Sequence, residues 1–353
     1  MTFQESRHRR ALPVQCRELL ARRIAACQNA RDSATLALQS SMSPASSSSG
    51  RAASADIWAK CTLETIVNNK WKLALPLLVL SCGGAVAVQS KADWTTPIAP
   101  FRIAEGLYYV GSKDLASYLV VTSQGNILIN SSLESSPALI RSSTEQLGFK
   151  YSDTKILLIS HAHWDHDAGS ARVIRETGAK YMVMDGDVPV VESGGALDFA
   201  YADSPYPKAK VDRVLHDGDE VKLGNAVLVA HKTPGHTRGC TTWTMKVKQN
   251  DKTLNAVIVG SWNVNDEFRL VDKPQQPVSY PGIADDYRKT FVLLKKLPCD
   301  IFLGAHGDYF NMVEKLAKAA NAGESVWIDP EGYQAAVAEH ERTFEAKLRG
   351  QQR

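Results

Sequence analysis

A chain of 353 residues with 44% hydrophobic and 22% charged residues is neither a polar tail nor a membrane bundle, and it can bury one large core or two small ones. The net charge of +3 is unevenly divided, since residues 1–72 hold 11 Lys/Arg against 5 Asp/Glu while the remainder holds 30 against 33. Beyond residue 72 there is therefore no basic bias towards nucleic acid, and no nucleic-acid partner is expected.

Residues 1–40 are Arg-rich with an uneven apolar pattern, and 41–55 form a Ser/Ala low-complexity stretch that cannot bury a core. Residues 1–69 are expected to be a disordered extension or the product of a misplaced translation start, with an organelle transit peptide as the alternative. Lys70-Trp71-Lys72 then leads into an apolar run ending at Ser81-Cys82, followed by Gly83-Gly84-Ala85-Val86-Ala87. A basic flank, a short apolar run and small residues make 70–90 an export signal that is too short for a comfortable membrane span. Cleavage after Ala87 fits the small-residue rule, whereas Val79-Leu80-Ser81-Cys82 resembles a bacterial lipoprotein box that would leave a lipid anchor on Cys82. A signal-anchor with a cytoplasmic tail is a third option. All three place 91–353 outside the cytoplasm, in the periplasm, as one domain. Of six cysteines, at 16, 27, 61, 82, 240 and 299, only Cys240 and Cys299 lie in that domain, where they form one bridge or none.

From Ala92-Asp93-Trp94 onward, alternation and turn residues predict strands at 107–110, 117–122 and 126–130, then a helix at 136–147. A buried strand at 155–160, a helix at 171–176 and a strand at 181–184 follow. Further strands are expected at 211–215, 226–231, 241–247, 256–260 and just before His306, with helices at 285–297, 311–320 and 330–348. Short strands in meanders, interrupted and ended by helices, imply an α/β sandwich of two sheets back to back with helices outside. No internal repeat is detectable, and nothing fixes an oligomeric state.

Three of the nine histidines fall within His161-Ala162-His163-Trp164-Asp165-His166, which suggests a metal. Residues two apart point the same way only in extended chain, so His161 and His163 can converge on one ion where they leave the strand at 155–160. Imidazole and carboxylate are the ligands zinc takes when no thiolate is present, and protein ligands with a bound water make a catalytic kind of site. One tetrahedral ion cannot use all four groups of so short a loop, but two neighbouring ions can. The bland alternative is a solvated loop with accidental histidines. Thr233-Pro234-Gly235-His236-Thr237 places another histidine after a Pro-Gly turn, and Ile301-Phe302-Leu303-Gly304-Ala305-His306 ends a buried strand with one more. His231 ends an apolar strand and reads as structural; His8, His216 and His340 read as surface residues.

His-x-His-x-Asp-His resembles the signature of the metallo-β-lactamase superfamily, and the resemblance extends over roughly 94–348. It implies a four-layer αβ/βα sandwich and two zinc ions joined by a hydroxide, the first held by His161, His163 and His236, the second by Asp165, His166 and His306. Ser261, in Val257-Ile258-Val259-Gly260-Ser261-Trp262-Asn263, stands where other members carry a bridging aspartate or a cysteine ligand, which resembles subclass B3. Thr241-Thr242-Trp243-Thr244 and Leu297-Pro298-Cys299-Asp300 resemble that subclass too. Three departures stand out: Asn130 replaces a usual aspartate, Asn263 replaces a common second serine, and no cysteine follows Cys299 to pair with it.

The implied activity is hydrolysis of the β-lactam amide in penicillins, cephalosporins and carbapenems by a metal-bridged hydroxide, giving antibiotic resistance. Its partner is a small-molecule β-lactam. Asp165 would orient the nucleophile, Ser261 would hold water or substrate beside the second zinc, and Asn263 would donate to the substrate carboxylate. No Ser-x-x-Lys or Gly-x-Ser-x-Gly context makes Ser261 a nucleophile. Trp94, Phe101 and Trp164 either wall the cleft or serve as packing, as aromatic residues there do at least as often. The alternatives are a di-zinc hydrolase acting on a lactone, thioester or other ester, and a non-catalytic metal-binding or membrane-tethered protein.

Overall fold

A computed structural model describes residues 91–353, so the expectations for 1–69, for the signal at 70–90 and for Cys82 and His8 lie outside the described residues. The first sheet has seven strands: β1 (Phe101–Ala104), β2 (Leu107–Tyr109), β3 (Tyr118–Thr122), β4 (Gly125–Ile129), β5 (Thr154–Leu158), β6 (Lys180–Met184) and β7 (Arg213–Leu215) in spatial order. β1 to β4 form an antiparallel meander, and β4 to β7 run parallel. The second sheet has five, β8 (Glu220–Leu223), β9 (Ala226–Lys232), β10 (Thr241–Gln249), β11 (Lys252–Val259) and β12 (Ile301–Gly304). Here β8 to β11 are antiparallel and β12 lies parallel to β11.

Alternation decides which residues fill the interior. Ile127 and Ile129 of β4 join Trp243 and Val257 of the other sheet in one buried core, whereas Leu128 and Leu157 face a second core. That second core is closed by α1 (Pro137–Gln146) through Ile140 and by α3 (Ser170–Thr177) through Val173. Beyond the second sheet, α5 (Ile283–Leu294) and α7 (Pro330–Gln352) add Tyr287, Phe291, Tyr333, Val337, Phe344 and Leu348 to the first core. The architecture is the expected αβ/βα sandwich. Two single or short helical turns complete the first half, α2 (Trp164–Asp167) and α4 (Val188–Ser193), and α6 (Met312–Ala322) precedes α7.

Helix α7 begins as its sequence dictates, because Asp329 accepts the Gly332 N–H at 2.9 Å and Pro330 occupies a first-turn position that needs no donor. At 23 residues it is long enough to cross a bilayer, but no described helix is apolar enough to do so.

Most strand bounds follow expectation to within about two residues, but β11 starts four residues earlier than expected, at Lys252 rather than Ala256, and β1, β8, α2 and α4 are additions. Each is only four to six residues long, too short for a periodic signal. Cys240 and Cys299 are both free thiols, the first buried and the second half-buried. Phe101 takes the packing role: its half-buried ring stacks between Tyr109, 5.0 Å away, and Trp327, 4.8 Å away, against the core. His340 is not a surface residue either. It stacks on Trp262 at 4.5 Å, and burial holds its imidazolium down at about 4.

Phe344 packs on Tyr287 and Phe291 with ring centroids 5.2 and 5.8 Å apart and is 1% exposed. Truncating it in Phe344→Ala should cost about 3–5 kcal/mol in urea unfolding, since the cavity would be lined by other rings that cannot collapse into it.

Candidate metal centre

The six expected ligands leave the ends of strands on one rim of the sandwich. His161 and His163 follow β5, His236 follows β9, and His306 follows β12. The rim is stitched across the two sheets by Thr241 N–H to the Ser160 carbonyl at 2.7 Å, the Trp243 indole N–H to the Ile159 carbonyl at 3.0 Å, and Ala116 N–H to the Ala305 carbonyl at 3.0 Å. Asp165 and His166 lie on the helical turn α2, whose His163 start is extended, so the motif bends from strand to helix within its own length.

The structure brings all six together. One donor atom from each of His161, His163 and His236 falls within a 4.8 Å span. In the second set, His166 Nε2 lies 3.1 Å from His306 Nε2 and 3.4 Å from Asp165 Oδ2, and His306 Nε2 lies 3.6 Å from the same Oδ2. Tetrahedral ligands about 2.1 Å from a zinc ion stand roughly 3.4 Å from each other, which is the spacing found here. His161 Nε2 is buried without a hydrogen-bond partner, the state of a nitrogen reserved for a cation. The donor set therefore fits a pair of divalent metal ions.

The opposite nitrogens are fixed by groups that accept protons. His236 Nδ1 donates to the Asn263 carbonyl at 2.8 Å, and His306 Nδ1 donates to Asp114 Oδ2 at 3.0 Å, so each lone pair faces inward on Nε2. His163 Nε2 stands 3.4 Å from Asp198 Oδ2. Burial, reinforced by neighbouring imidazoles, pushes His161 well below the usual histidine range and holds His166 and His236 down at about 3. These three stay neutral, the form that binds metal. For His306 burial acts in the same direction, but Asp114 and Asp165 outweigh it and raise the imidazole above 6.5. The Asp165 carboxyl is lowered because the surrounding histidines overcome its desolvation.

Four residues that sequence reasoning missed support this arrangement. Asp187, 1% exposed, accepts from Ala162 N–H at 2.9 Å, Thr237 Oγ1–H at 2.8 Å and Gly239 N–H at 2.7 Å, so it clamps the His161/His163 loop to the His236 loop. Burial pushes its carboxyl up to about 6. Asp114 and Asp198 back His306 and His163, and Tyr309 touches Ser261 and Asn263. No local pattern marks any of them. Gly235 is required where it stands: its φ is +133°, and a Cβ there would lie 2.7 Å from the Tyr287 ring.

Other expected residues take definite places. Ser261, 1% exposed, has its Oγ 3.1 Å from the Tyr309 hydroxyl, and among the described residues no histidine or lysine hydrogen-bonds it as a base. The Asn263 side chain donates to Tyr309 at 3.0 Å, while its carbonyl holds both His236 and the Tyr287 hydroxyl, the latter at 2.6 Å. Asn130 has a left-handed φ of 65°, accepts Ser160 N–H at 2.7 Å and donates to the Ala116 carbonyl at 3.1 Å. An ionised aspartate could make only the first bond. Trp94 packs on Trp164 at 5.4 Å and on His306 at 5.9 Å, so these two indoles do border the centre. His231 bonds Thr244 at 2.8 Å and stays apart, as expected of a structural residue, and His216 is exposed beside Asp219. A cleft of about 990 Å³ lined by Lys232, Pro234, Arg238 and Lys289 includes none of the six.

Replacing Asp187 by alanine would leave three buried donors unpaired, and we expect metal affinity to fall roughly 10–100-fold in a competitive chelator titration. In an NMR titration of the metal-free protein, His306 should protonate first as pH falls, with His166 and His236 still neutral at pH 5. His166 or His236 titrating at or above His306 would contradict the assigned environments.

The model of a family described as the metallo-β-lactamase superfamily matches residues 115–306. The native FEZ-1 metallo-β-lactamase from Legionella gormanii is 50% identical, with 73% of this chain and 98% of that one covered at a TM-score of 0.71. BJP-1, a subclass B3 metallo-β-lactamase of Bradyrhizobium japonicum, is 36% identical, with 74% and 97% covered at 0.68. LRA-12, a class B3 di-zinc metallo-β-lactamase from an Alaskan soil metagenome, is also 36% identical, with 73% and 97% covered at 0.66. With histidines and an aspartate gathered where they could hold metal and relatives matched over nearly their whole length, this chain belongs to the metallo-β-lactamase superfamily, within subclass B3.

Proposed function

We propose that this chain hydrolyses the amide bond of β-lactams with two zinc ions, one on His161, His163 and His236 and one on Asp165, His166 and His306. The observation that carries the reading is the mutual spacing of the three donor atoms of the second set, 3.1, 3.4 and 3.6 Å, beside a complete first set. When bound, zinc supplies Lewis acidity to a carbonyl and lowers the pKa of water towards neutrality.

The chain's own groups do the rest. Asp165 is the single carboxylate among the six, it is kept ionised by the histidines around it, and it can take or orient the proton of an attacking water. Asp114 and the Asn263 carbonyl hold the His306 and His236 rings in one orientation, which prepares the site before substrate arrives. Trp94, itself packed on Trp164, covers one side of His306. Ser261 and Asn263, beside His306 at the ends of the parallel pair β11 and β12, supply neutral donors for the carboxylate that β-lactams carry. Hydrolysis needs no covalent enzyme intermediate, and the burial of Ser261 without a base agrees with that.

We also propose that the enzyme works in the periplasm, where β-lactams meet their targets. Support comes from the basic flank, apolar run and small residues of 70–87. Intact-mass analysis of exported protein should show either a new N-terminus after Ala87 or a lipid-modified Cys82; an unprocessed chain confined to the cytoplasm would overturn export.

Nitrocefin turnover should vanish with a strong chelator and return with zinc. Asp165→Ala should lower kcat/KM by roughly 100-fold or more in zinc-loaded protein, and near-parent activity would remove the role given to Asp165. Faster turnover of an acyl-homoserine lactone or a glutathione thioester than of any β-lactam would favour the other hydrolases of the superfamily.

A further inference from the structure

Tyr309 belongs to none of the ligand sets, yet it makes the only polar contacts described for the Ser261 hydroxyl besides one backbone N–H. It sits on the 3-10 turn Gly307–Phe310 that follows β12, with its ring packed 5.4 Å from Trp262 and 5.2 Å from His306. The ring is thus held by its neighbours, and its hydroxyl has a fixed address.

Counting protons around that hydroxyl gives a direction. Asn263 Nδ2 donates into the phenol oxygen at 3.0 Å, so the phenol must place its own proton elsewhere. The partner left among the described residues is Ser261 Oγ, 3.1 Å away. The reverse arrangement, with Ser261 donating to Tyr309, would strand a buried phenolic proton without an acceptor. Ser261 Oγ also accepts the Asn263 backbone N–H at 3.4 Å. Both of its lone pairs are then engaged, and the one group it still offers is its own O–H. Asn263, for its part, has one amide proton committed to Tyr309 and one to spare.

We propose that Tyr309 is a positioning residue that locks the Ser261 hydroxyl as a hydrogen-bond donor and so fits the site to a carboxylate, which can only accept. The inference rests on the β-lactam reading and deepens it: the preferred substrate is the free acid, and its carboxylate lies against Ser261 and the remaining amide proton of Asn263. A serine without Tyr309 could rotate and present lone pairs to the incoming anion instead. The sequence alone suggests Ser261 and Asn263 for this role but gives no reason for a tyrosine 48 residues later.

The test compares zinc-loaded parent, Tyr309→Phe, Ser261→Ala and the double variant on benzylpenicillin and on its methyl ester. Tyr309→Phe keeps the ring that packs on Trp262, and its zinc content by elemental analysis should equal the parent's. The acid-over-ester ratio of kcat/KM should fall about tenfold in Tyr309→Phe, mainly through a higher KM for the acid, and by a similar factor in Ser261→Ala. The double variant should fall no further, because both changes remove one donor. An unchanged ratio in Tyr309→Phe, or a double variant whose loss is the product of the two, would overturn the inference. A parent that hydrolyses neither compound would overturn the β-lactam reading and this inference with it, whereas a parent that hydrolyses both, with the ratio unmoved by Tyr309→Phe, sinks the inference alone.

Discussion

Five imidazoles and a carboxylate crowded into one buried rim can stay together only if most of the imidazoles remain uncharged. Protonating any of His161, His166 or His236 would bury a cation among like charges, and desolvation together with that repulsion drives all three neutral. Neutral rings with their lone pairs facing inward are what a divalent cation needs. The same crowding that would destabilise a charged cluster therefore builds a metal centre, and much of the surrounding architecture maintains it. The Asn263 carbonyl and Asp114 fix ring orientation from behind, and Asp187 ties the loops that carry the rings.

The sandwich makes the crowding achievable for residues far apart in the chain. His166 and His306 are 140 positions apart yet have facing nitrogens 3.1 Å from one another. Their loops meet because β5, β9 and β12 all end on the same rim and because bonds between the sheets, such as Trp243 to Ile159, stop the rim from opening. Aromatic packing of α5 and α7 on the second sheet keeps the Tyr287 ring against Gly235, so the distant helical layer also sets where His236 can go. A substrate site at a strand-end rim can thus be rigid without being deep.

What the sequence made legible was chemistry with a local pattern. Two histidines at alternate positions after an apolar run, a histidine behind Pro-Gly, and a histidine closing a buried strand each carry their own signal, while the full set of six, with Asp165 and His166, is what the family resemblance implies. The long strands and helices followed from their periodicity. Residues whose partners lie elsewhere stayed hidden: Asp187 reaches Ala162 across 25 positions and Gly239 across 52, and Asp114 reaches His306 across 192. Nothing near an aspartate in sequence says that two distant loops will aim three donors at it. His340 was placed at the surface, and the choice between cleft and packing for Phe101 stayed open, for the related reason that an aromatic ring in a loop or on a helix face looks alike whether it meets solvent or another ring.

The account depends on two cations held by two sets of three side chains. Anomalous diffraction at the zinc edge from zinc-loaded crystals tests it most directly. Two peaks are expected, one bonded by His161, His163 and His236 and the other by Asp165, His166 and His306, each at metal–ligand distances of about 2.0–2.2 Å. A single peak at full zinc loading, or a second peak that leaves His306 uncoordinated, would contradict it.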